Sequence, residues 1–395
     1  MMCDIEKATS APIAEAGMHF LARRNIAFLN HGSFGARARP VFEAYQRWQG
    51  ELESQPVEFL SRRLSGLLAE ARAQLAAYIG THANNIVFVP NATHGMNIIA
   101  RSLELQPGDE VLGTDHEYGA VERTWRFICE QRGARYRSHP ISLPVTSPEA
   151  LIDELWEGVS DHTRLLVVSH ITSPTALIFP VADICRRAAQ QGILTAIDGA
   201  HAPGQVDLDL DRLGADFYVG NCHKWLCAPV GAGFLYARPD RQPLLQPLVV
   251  SWGWQARKPG PSPFLDYFEW IGTDDPAAFL SVPAAIAFQE QHDWPTVRAA
   301  CHGLAAEARD RIHGLTGLPY ICPDSPEWWG QMCSVPLPIC NVAAGETLQR
   351  RLWEEYQIEV PIVEWRDRFF VRVSIQAYNS HRDVDQLLKG LAHLL

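Results

Sequence analysis

Asp198-Gly-Ala-His201 and Asn221-Cys-His-Lys-Trp225 are the two segments from which the fold of this chain is predicted. Each follows a short apolar run, residues 193–197 and 216–220, whose length and β-branched content predict a buried strand. Open α/β sheets bind ligands at the edge where parallel strands end. We therefore expect one carboxylate, one imidazole and one lysine side chain in a common crevice.

A carboxylate and a lysine on neighbouring strand ends are the groups that pyridoxal 5'-phosphate (PLP) chemistry requires. A lysine holds the PLP aldehyde as a Schiff base, and a carboxylate keeps the ring nitrogen protonated. A desolvated lysine can also lose its proton and act as nucleophile and base. Lys224 is the candidate for the first role and Asp198 for the second. The alternative is that Asp198 caps a strand end and Lys224 is a solvated loop residue.

Composition limits the classes of protein and partner. The chain has 395 residues, 47% of them hydrophobic, and 34 basic against 45 acidic residues give a net charge of -11. No basic tract follows a phosphate backbone, so nucleic acid is not expected as a partner. No apolar stretch approaches the ~20 residues that span a bilayer, and the first residues lack a secretory signal core. Nine scattered cysteines without Cys-x-x-Cys spacing indicate reduced thiols, a cytoplasmic location and no metal site.

The order of predicted elements indicates an α/β fold with a mostly parallel sheet. Strands of this sheet are expected at residues 86–90, 110–114, 134–141, 165–171, 193–197, 216–220 and 231–238. Helices are expected at residues 40–50, 59–79 with Ser61 as its cap, 91–103 and 147–156. Residues 243–268 are rich in Pro, Trp and Gly and predict a long loop near a subunit contact.

The chain is expected to divide into three parts. Residues 1–25 form an arm that packs with the small domain, residues 26–276 form the large PLP-binding domain, and residues 277–395 form a smaller α+β domain. Helices of the small domain are expected at residues 277–291, 294–315, 346–356 and 382–394, and its strands at residues 332–337, 358–363 and 369–375.

A phosphate site is expected where the strand at 86–90 turns into a helix through Asn91-Ala-Thr-His-Gly-Met-Asn97. A helix start carries free N–H groups and a partial positive charge. Ala92, Thr93 and His94 are the candidates. A plain N-cap at Thr93 is the competing interpretation, and the two roles are compatible.

A substrate site is expected at Arg372, which lies in an otherwise apolar strand. A buried guanidinium needs a carboxylate partner, and its fork geometry suits an α-carboxylate. An internal salt bridge to a glutamate is the alternative. Asn30 and His31, in Asn30-His-Gly-Ser-Phe-Gly35, either face substrate or satisfy backbone groups in a Gly-rich turn.

These motifs together resemble the class V aminotransferase family, PLP enzymes of fold type I. The resemblance is carried by Asp-Gly-Ala-His, by His-Lys before the Gly-rich strand 231–238, and by the segment that contains Arg372, Ser374, Tyr378 and Asn379. It extends from about Asn25 to the C-terminus. It implies a fold type I PLP-dependent transferase, a small-molecule amino-acid substrate and a homodimer with a shared active site.

The resemblance also implies roles for single residues near the cofactor. His116, Glu117 and Tyr118 lie within reach of the ring, and Tyr118 is favoured as the stacking and catalytic side chain. An exposed tyrosine that opens a helix is the alternative. Gly272 and Thr273 would lend donors to the phosphate of the neighbouring subunit, or form an ordinary turn.

Four further residues complete the expected cofactor site. Ser173 stands where the family usually has an asparagine on the cofactor phenol oxygen, and His201 is expected to supply this contact if Ser173 is too short. Asn221 and His223 are further phosphate candidates, with a structural histidine packed under the lysine as the alternative for His223.

The reaction is less determined than the cofactor. The motifs resemble most the isopenicillin N epimerase-like branch, which implies epimerisation at the α-carbon of an amino acid. A C–S β-lyase is the second expectation and an aminotransferase the third. Pro361-Ile-Val-Glu-Trp-Arg-Asp-Arg-Phe369 lacks the nucleophilic cysteine of desulfurases, which disfavours that chemistry. A PLP-binding sensor without turnover is not expected.

Overall fold

The structure is a computed structural model that describes residues 15–395. Most of the predicted N-terminal arm, residues 1–14, therefore lies outside the described residues. In the described part of the arm, residues 15–18 are helical.

The elements follow one another in α/β order. The strands of residues 15–395 are β1 (Ala27–Phe28), β2 (Ile86–Val89), β3 (Glu110–Thr114), β4 (Arg135–His139), β5 (Thr163–Ser169), β6 (Leu194–Gly199), β7 (Phe217–Asn221), β8 (Gly233–Ala237), β9 (Met332–Leu337), β10 (Ile358–Glu359), β11 (Ile362–Trp365) and β12 (Arg368–Ser374). The α-helices are α1 (His31–Phe34), α2 (Arg39–Ser54), α3 (Pro56–Glu58), α4 (Leu64–Tyr78), α5 (Ala92–Ser102), α6 (Gly119–Arg132), α7 (Pro148–Glu157), α8 (Val181–Gln190), α9 (Leu210–Leu213), α10 (Pro263–Glu269), α11 (Ala277–Leu280), α12 (Val282–Gln291), α13 (Trp294–Thr316), α14 (Val342–Tyr356) and α15 (His381–Leu394).

Seven strands form the main sheet in the order β2-β8-β7-β6-β5-β3-β4. Strands β3 to β7 are parallel, and β8 runs antiparallel to both of its neighbours. Strand β7 is buried throughout and β5 at every residue except Arg164, which agrees with their apolar runs. The predicted mostly parallel α/β fold is confirmed. The carboxyl ends of β2, β5, β6 and β7 meet at one edge, which positions the site.

Several predicted helix limits are wrong. The second helical segment begins earlier, at α3, and is π-helical over Phe59–Arg63, so Ser61 lies inside it and is not its cap. The predicted helix over 277–291 is two helices, α11 and α12, separated at Ser281.

Two other predictions missed helices. Residues 243–268 include the beginning of α10, which is capped by the hydroxyl of Ser262 and is therefore not all loop. Helix α8, the crossover between β5 and β6, was not predicted, although a parallel pair requires one.

A second, antiparallel sheet has the order β11-β12-β9 and packs against α13. Strand β1 pairs with β10, and Asn30 bridges to Ser374, so the segment after the arm is tied to the C-terminal sheet. Helices α11 and α12 each pack against both α2 and α4. The domain limits at residues 25 and 276 remain a prediction. Within residues 15–395, the structure has no helix with the length and apolarity that a bilayer crossing needs.

Candidate active site

A cleft of about 490 Å³ opens at the carboxyl ends of the parallel strands. The predicted site residues that line it are Ala92, Thr93, Tyr118, Ser173, Asp198, His201, Asn221, His223 and Lys224. The predicted residues outside this lining are Asn30, His31, His94, Gly272, Thr273 and Arg372. The structure thus brings nine of the fifteen predicted residues to one cavity.

Lys224 follows β7 and reaches into the cleft. Its Nζ lies 3.0 Å from Nε2 of His201. Burial lowers the pKa of the Lys224 amine to about 7, the charge of Arg372 adds to this effect, and Asp198 opposes it. Part of the side chain is still open to the cleft, so the amine is both accessible and easily deprotonated near neutral pH.

Asp198 lies at the end of β6, and one of its carboxylate oxygens accepts a 2.9 Å hydrogen bond from the Ala200 N–H. The other oxygen has no partner within residues 15–395. Burial raises the pKa of the Asp198 carboxyl, while the Ala200 N–H and the Lys224 charge lower it. A cationic group placed in the cleft opposite this free oxygen would keep the carboxylate ionised.

A second acid, Glu117, is buried next to Asp198. It accepts hydrogen bonds from the hydroxyls of Thr114 (2.7 Å) and Ser169 (2.6 Å). Burial raises the pKa of Glu117 to about 8, the two hydroxyls lower it, and the charge of Asp198 raises it again. Burial therefore favours the neutral acid form of Glu117 near neutral pH.

The N-terminus of α5 opens onto the cleft, but its cap differs from the predicted one. Asn91, not Thr93, is the N-cap, because its side chain accepts from the His94 N–H at 2.9 Å. The Ala92 N–H donates to the Asn221 side chain at 2.8 Å. Two of the three N–H groups predicted for phosphate are thus already used. Among the described residues, the Thr93 N–H has no acceptor and remains available to an anion.

His223 lies at the cleft, whereas the turn after α10 does not. His223 lines it, with Nδ1 3.3 Å from the Ala232 carbonyl oxygen, which leaves Nε2 for a ligand. Gly272, at φ 124°, lies instead in a separate small pocket with His94, and Thr273 is exposed. Neither Gly272 nor Thr273 contributes to the cleft of its own chain.

Arg372 on β12 is a buried cation directly behind the cleft, where it contacts two residues of the lining, Ser33 and Ser173. Its guanidinium donates to the Ser173 carbonyl oxygen at 2.8 Å, to the Ser173 hydroxyl at 3.1 Å and to the Ser33 hydroxyl at 3.1 Å. No carboxylate within residues 15–395 forms a salt bridge with it, and its Nε has no partner there. The predicted alternative, an internal salt bridge to glutamate, is therefore wrong. The Ser173 hydroxyl is turned toward the arginine.

Asn30 and His31 stand behind the cleft. Asn30 donates to Glu359 at 3.1 Å and accepts from the Ser33 hydroxyl at 2.5 Å, so it orients a partner of Arg372. His31 is fully buried, with Nε2 3.1 Å from the Lys224 carbonyl oxygen and Nδ1 3.0 Å from the Tyr378 hydroxyl. Of the two interpretations offered for His31, the structure has the one in which the ring satisfies a backbone group.

Tyr118 stands at the mouth of the cleft, 48% exposed, directly before α6. The neighbouring His116 is fully buried against Trp365, with ring centroids 4.6 Å apart. Trp365 also donates to the Asp115 carbonyl oxygen at 2.9 Å, and Arg366 pairs with the Asp115 carboxylate. The β11–β12 hairpin thus holds the loop that presents Tyr118.

Ser33 and Trp225 belong to the site, although the sequence did not predict them as site residues. Ser33 lies inside the quoted Gly-rich turn and Trp225 directly follows the lysine, so both were adjacent to predicted residues. Nothing in the pattern showed that these side chains turn toward Arg372 and His201.

The donor set of the cleft fits PLP. A desolvated amine, a carboxylate with a free oxygen and a helix N-terminus with an unused N–H face the same cavity. These groups match the aldehyde, the ring nitrogen and the phosphate of PLP in chemistry.

Solved structures share this fold. A cysteine desulfurase from Escherichia coli matches with a TM-score of 0.79 and 21% identity, covering 97% of this chain and 98% of that chain. A cystine C-S lyase in complex with cysteine persulfide matches with a TM-score of 0.77 and 24% identity, over 93% and 98% of the two chains. The chain therefore has the fold type I architecture of PLP-dependent enzymes.

Sequence relatives define the family. The aminotransferase class-V family model matches residues 39–387. Isopenicillin N epimerase from Amycolatopsis lactamdurans is 36% identical over 93% of this chain and 94% of that protein. A putative L-cysteine desulfhydrase 1 from Oryza sativa subsp. japonica is 30% identical over 94% and 83%. The chain belongs to the class V aminotransferase family and is a PLP-dependent enzyme.

Proposed function

We propose that this enzyme epimerises an amino-acid substrate at its α-carbon. The observation that supports an amino-acid substrate is Arg372, a buried guanidinium directly behind the cleft lining without a carboxylate partner among the described residues. Leaving such a charge unpaired costs several kcal/mol, so the site is arranged for an anionic ligand. The 36% identity to an isopenicillin N epimerase supports epimerisation as the reaction.

Arg372 binds the substrate α-carboxylate. Burial lowers the pKa of the Arg372 guanidinium to about 10, against the raising influence of Tyr118, so the group is still charged at neutral pH. Ser33 and Ser173 hold the guanidinium in place, and its free Nε adds a donor to the bidentate fork. The amino group of the substrate is thereby directed toward Lys224.

Lys224 holds the cofactor and then moves the α-proton. Bound PLP supplies an aldehyde for the lysine and an electron-withdrawing ring that acidifies the substrate α-carbon. The free oxygen of Asp198 would hold the ring nitrogen of bound PLP, and the Thr93 N–H, Asn221 and His223 would hold its phosphate. The amine of Lys224, with its pKa near 7, accepts the α-proton on one face of the substrate.

Inversion requires a proton donor on the other face. Tyr118 is the candidate, since its hydroxyl is at the cleft mouth and close enough to influence Arg372. The hairpin contacts of Trp365 and Arg366 keep its loop in position. Tyr118 then protonates the carbon that Lys224 has deprotonated.

C–S β-elimination is the second candidate. It is supported by the plant L-cysteine desulfhydrase relatives and by a hercynylcysteine sulfoxide lyase from Schizosaccharomyces pombe, which is 24% identical. Cysteine desulfurase chemistry is not proposed. The residues that line the cleft include no cysteine, and the β11–β12 turn consists of Arg366 and Asp367.

Incubation in deuterium oxide with a panel of amino acids separates these reactions. Epimerisation predicts α-deuterated product with inverted configuration, observed by mass and chiral chromatography. Elimination predicts release of pyruvate and ammonia from cysteine derivatives. Exchange without inversion, or transfer of the amino group to a keto acid, would contradict both candidates.

We also propose a cytoplasmic homodimer. Trp252 (84% exposed), Val250 (66%) and Trp254 (54%) form an apolar surface after β8. In the dimer, Gly272 and Thr273 serve the phosphate of the neighbouring subunit, which agrees with their distance from the cleft of their own chain. Light scattering on the purified protein tests this assembly, and a monomer at micromolar concentration would disprove it.

A further inference from the structure

The buried Trp225 and His201 and the partly buried Lys224 form a directed chain of nitrogen atoms at the base of the cleft. The indole Nε1 of Trp225 donates to Nδ1 of His201 at 3.3 Å. Nε2 of the same imidazole lies 3.0 Å from Nζ of Lys224. Trp225 is fully buried and His201 is 4% exposed, so bulk water does not replace these partners.

The indole determines where the imidazole carries its proton. An indole N–H donates and has no acceptor, so Nδ1 of His201 must be the bare, accepting nitrogen. A neutral imidazole then carries its single proton on Nε2. This N–H points at Lys224 and needs an acceptor there. An ammonium group has three N–H donors and no lone pair, whereas a neutral amine can accept.

We propose that Trp225 is a positioning residue: it fixes His201 in the neutral Nε2–H tautomer, and His201 in turn holds the Lys224 side chain as the neutral amine. Lys224, the one lysine among residues 15–395 that lines the cleft, is thereby kept ready to attack an aldehyde. When a ligand takes the place of the amine, the same Nε2–H is a fixed donor to an electronegative atom of that ligand.

The charges around the amine agree with this arrangement. The charge of Arg372 on β12 disfavours the protonated form of Lys224. His223, which directly precedes Lys224, is neutral because burial lowers its pKa to about 4. Asp198 on β6 is the one facing group that favours the ammonium. Burial, Lys224 and Arg372 together hold the pKa of His201 well below its usual value, which excludes the doubly protonated ring.

The composition of the chain makes the inference measurable. The chain has four lysines, Lys7, Lys224, Lys258 and Lys389. Lysine labelled with ¹³C at the ε-carbon therefore yields four NMR signals, and Lys224→Arg identifies the relevant one. The sample is the full-length chain freed of cofactor. In the parent chain, the Lys224 signal should titrate near neutral pH.

Trp225→Phe removes the indole N–H and keeps an aromatic ring. His201 is then free to present a bare Nε2, which stabilises the ammonium. We expect the Lys224 midpoint to rise by at least about one pH unit, and capture of PLP at pH 6 to slow about tenfold. Trp294→Phe is the matched control: it removes another buried indole, which donates to the Gly204 carbonyl oxygen and not to His201.

A second measurement keeps the test independent of whether Trp225→Phe folds. ¹⁵N NMR of histidine-labelled parent chain, with the His201 signals assigned by His201→Gln, reports which ring nitrogen carries the proton. A protonated Nε2 supports the proposal, and a protonated Nδ1 overturns it. An unchanged Lys224 midpoint in folded Trp225→Phe, or an equal shift in Trp294→Phe, also overturns it. None of these results depends on whether the enzyme is an epimerase or a lyase.

Discussion

Lys224 lines the cleft and Arg372 lies behind the lining residues Ser33 and Ser173, and burial affects these two basic side chains differently. The pKa of Lys224 falls to about 7, whereas that of Arg372 falls only to about 10. The delocalised guanidinium starts from a higher value and keeps its proton. The same desolvation therefore produces an easily deprotonated amine at Lys224 and a permanent cation at Arg372. Each residue type is suited to its own position, and exchanging their properties should break the site.

The largest effect is expected for Lys224→Ala. Removing the amine deletes both the attachment of the cofactor and the base, so turnover should fall by more than about 10³-fold. The rate of α-deuterium incorporation measures this loss. Lys258→Ala, at an exposed position, is the control and should retain the parent rate. Comparable activity in the two variants would remove Lys224 from the mechanism.

Arg372→Gln should have the next largest effect. Loss of a buried charge that pairs with a carboxylate costs about 2–5 kcal/mol, which corresponds to a decrease in kcat/KM on the order of 10²- to 10³-fold. Most of the decrease should appear in KM. Arg350→Gln removes an exposed guanidinium and should leave KM unchanged. An unaltered KM in Arg372→Gln would mean that the carboxylate binds elsewhere.

The stability of the cofactor-free chain should depend on pH through Lys224. Its folded-state pKa is depressed to about 7, so between pH 7 and the ordinary lysine value of 10.5 the unfolded chain binds more protons. Stability therefore rises with pH across this window. Lys224→Met removes the buried charge and should be more stable below pH 7, on the order of 1 kcal/mol after solvent screening at the open cleft.

Urea unfolding at several pH values measures this difference. The advantage of the methionine variant should shrink as the pH approaches 10.5. A constant advantage at every pH would show that packing, not the charge, is responsible.

Ser33→Ala should have the smallest effect. It removes one hydroxyl that holds the Arg372 guanidinium and leaves Ser173 in place. A hydrogen bond to a charged group contributes about 1.5–3 kcal/mol, but Ser173 still holds the guanidinium, so KM should rise roughly tenfold while kcat is kept. Isothermal titration with a non-reacting amino acid provides a second measurement. A loss as large as that in Arg372→Gln would mean that the serine itself binds substrate.

The strands of this chain were predicted more accurately than its helix limits and the contacts of its site. Strands β3 and β9 match their predicted ranges, because short apolar runs between turns are local signals. The helix limits around Ser61 and Ser281 were less accurate, since tertiary packing against α2 and α4 decides where those helices begin and end. In the site, the cap at Asn91 and the position of His31 depended on backbone geometry that spacing does not reveal.

The sequence alone determined the α/β class, the order of the strands that carry Asp198 and Lys224, and the family, because these follow from local periodicity and short motifs. Only the tertiary structure decided that Arg372 has no internal carboxylate partner, that Glu117 is buried beside Asp198, and that Trp225 donates to His201. These contacts join residues up to 339 positions apart in the chain. They depend on how separate elements pack, and pKa values and tautomers follow from that packing because desolvation and hydrogen bonding act through space.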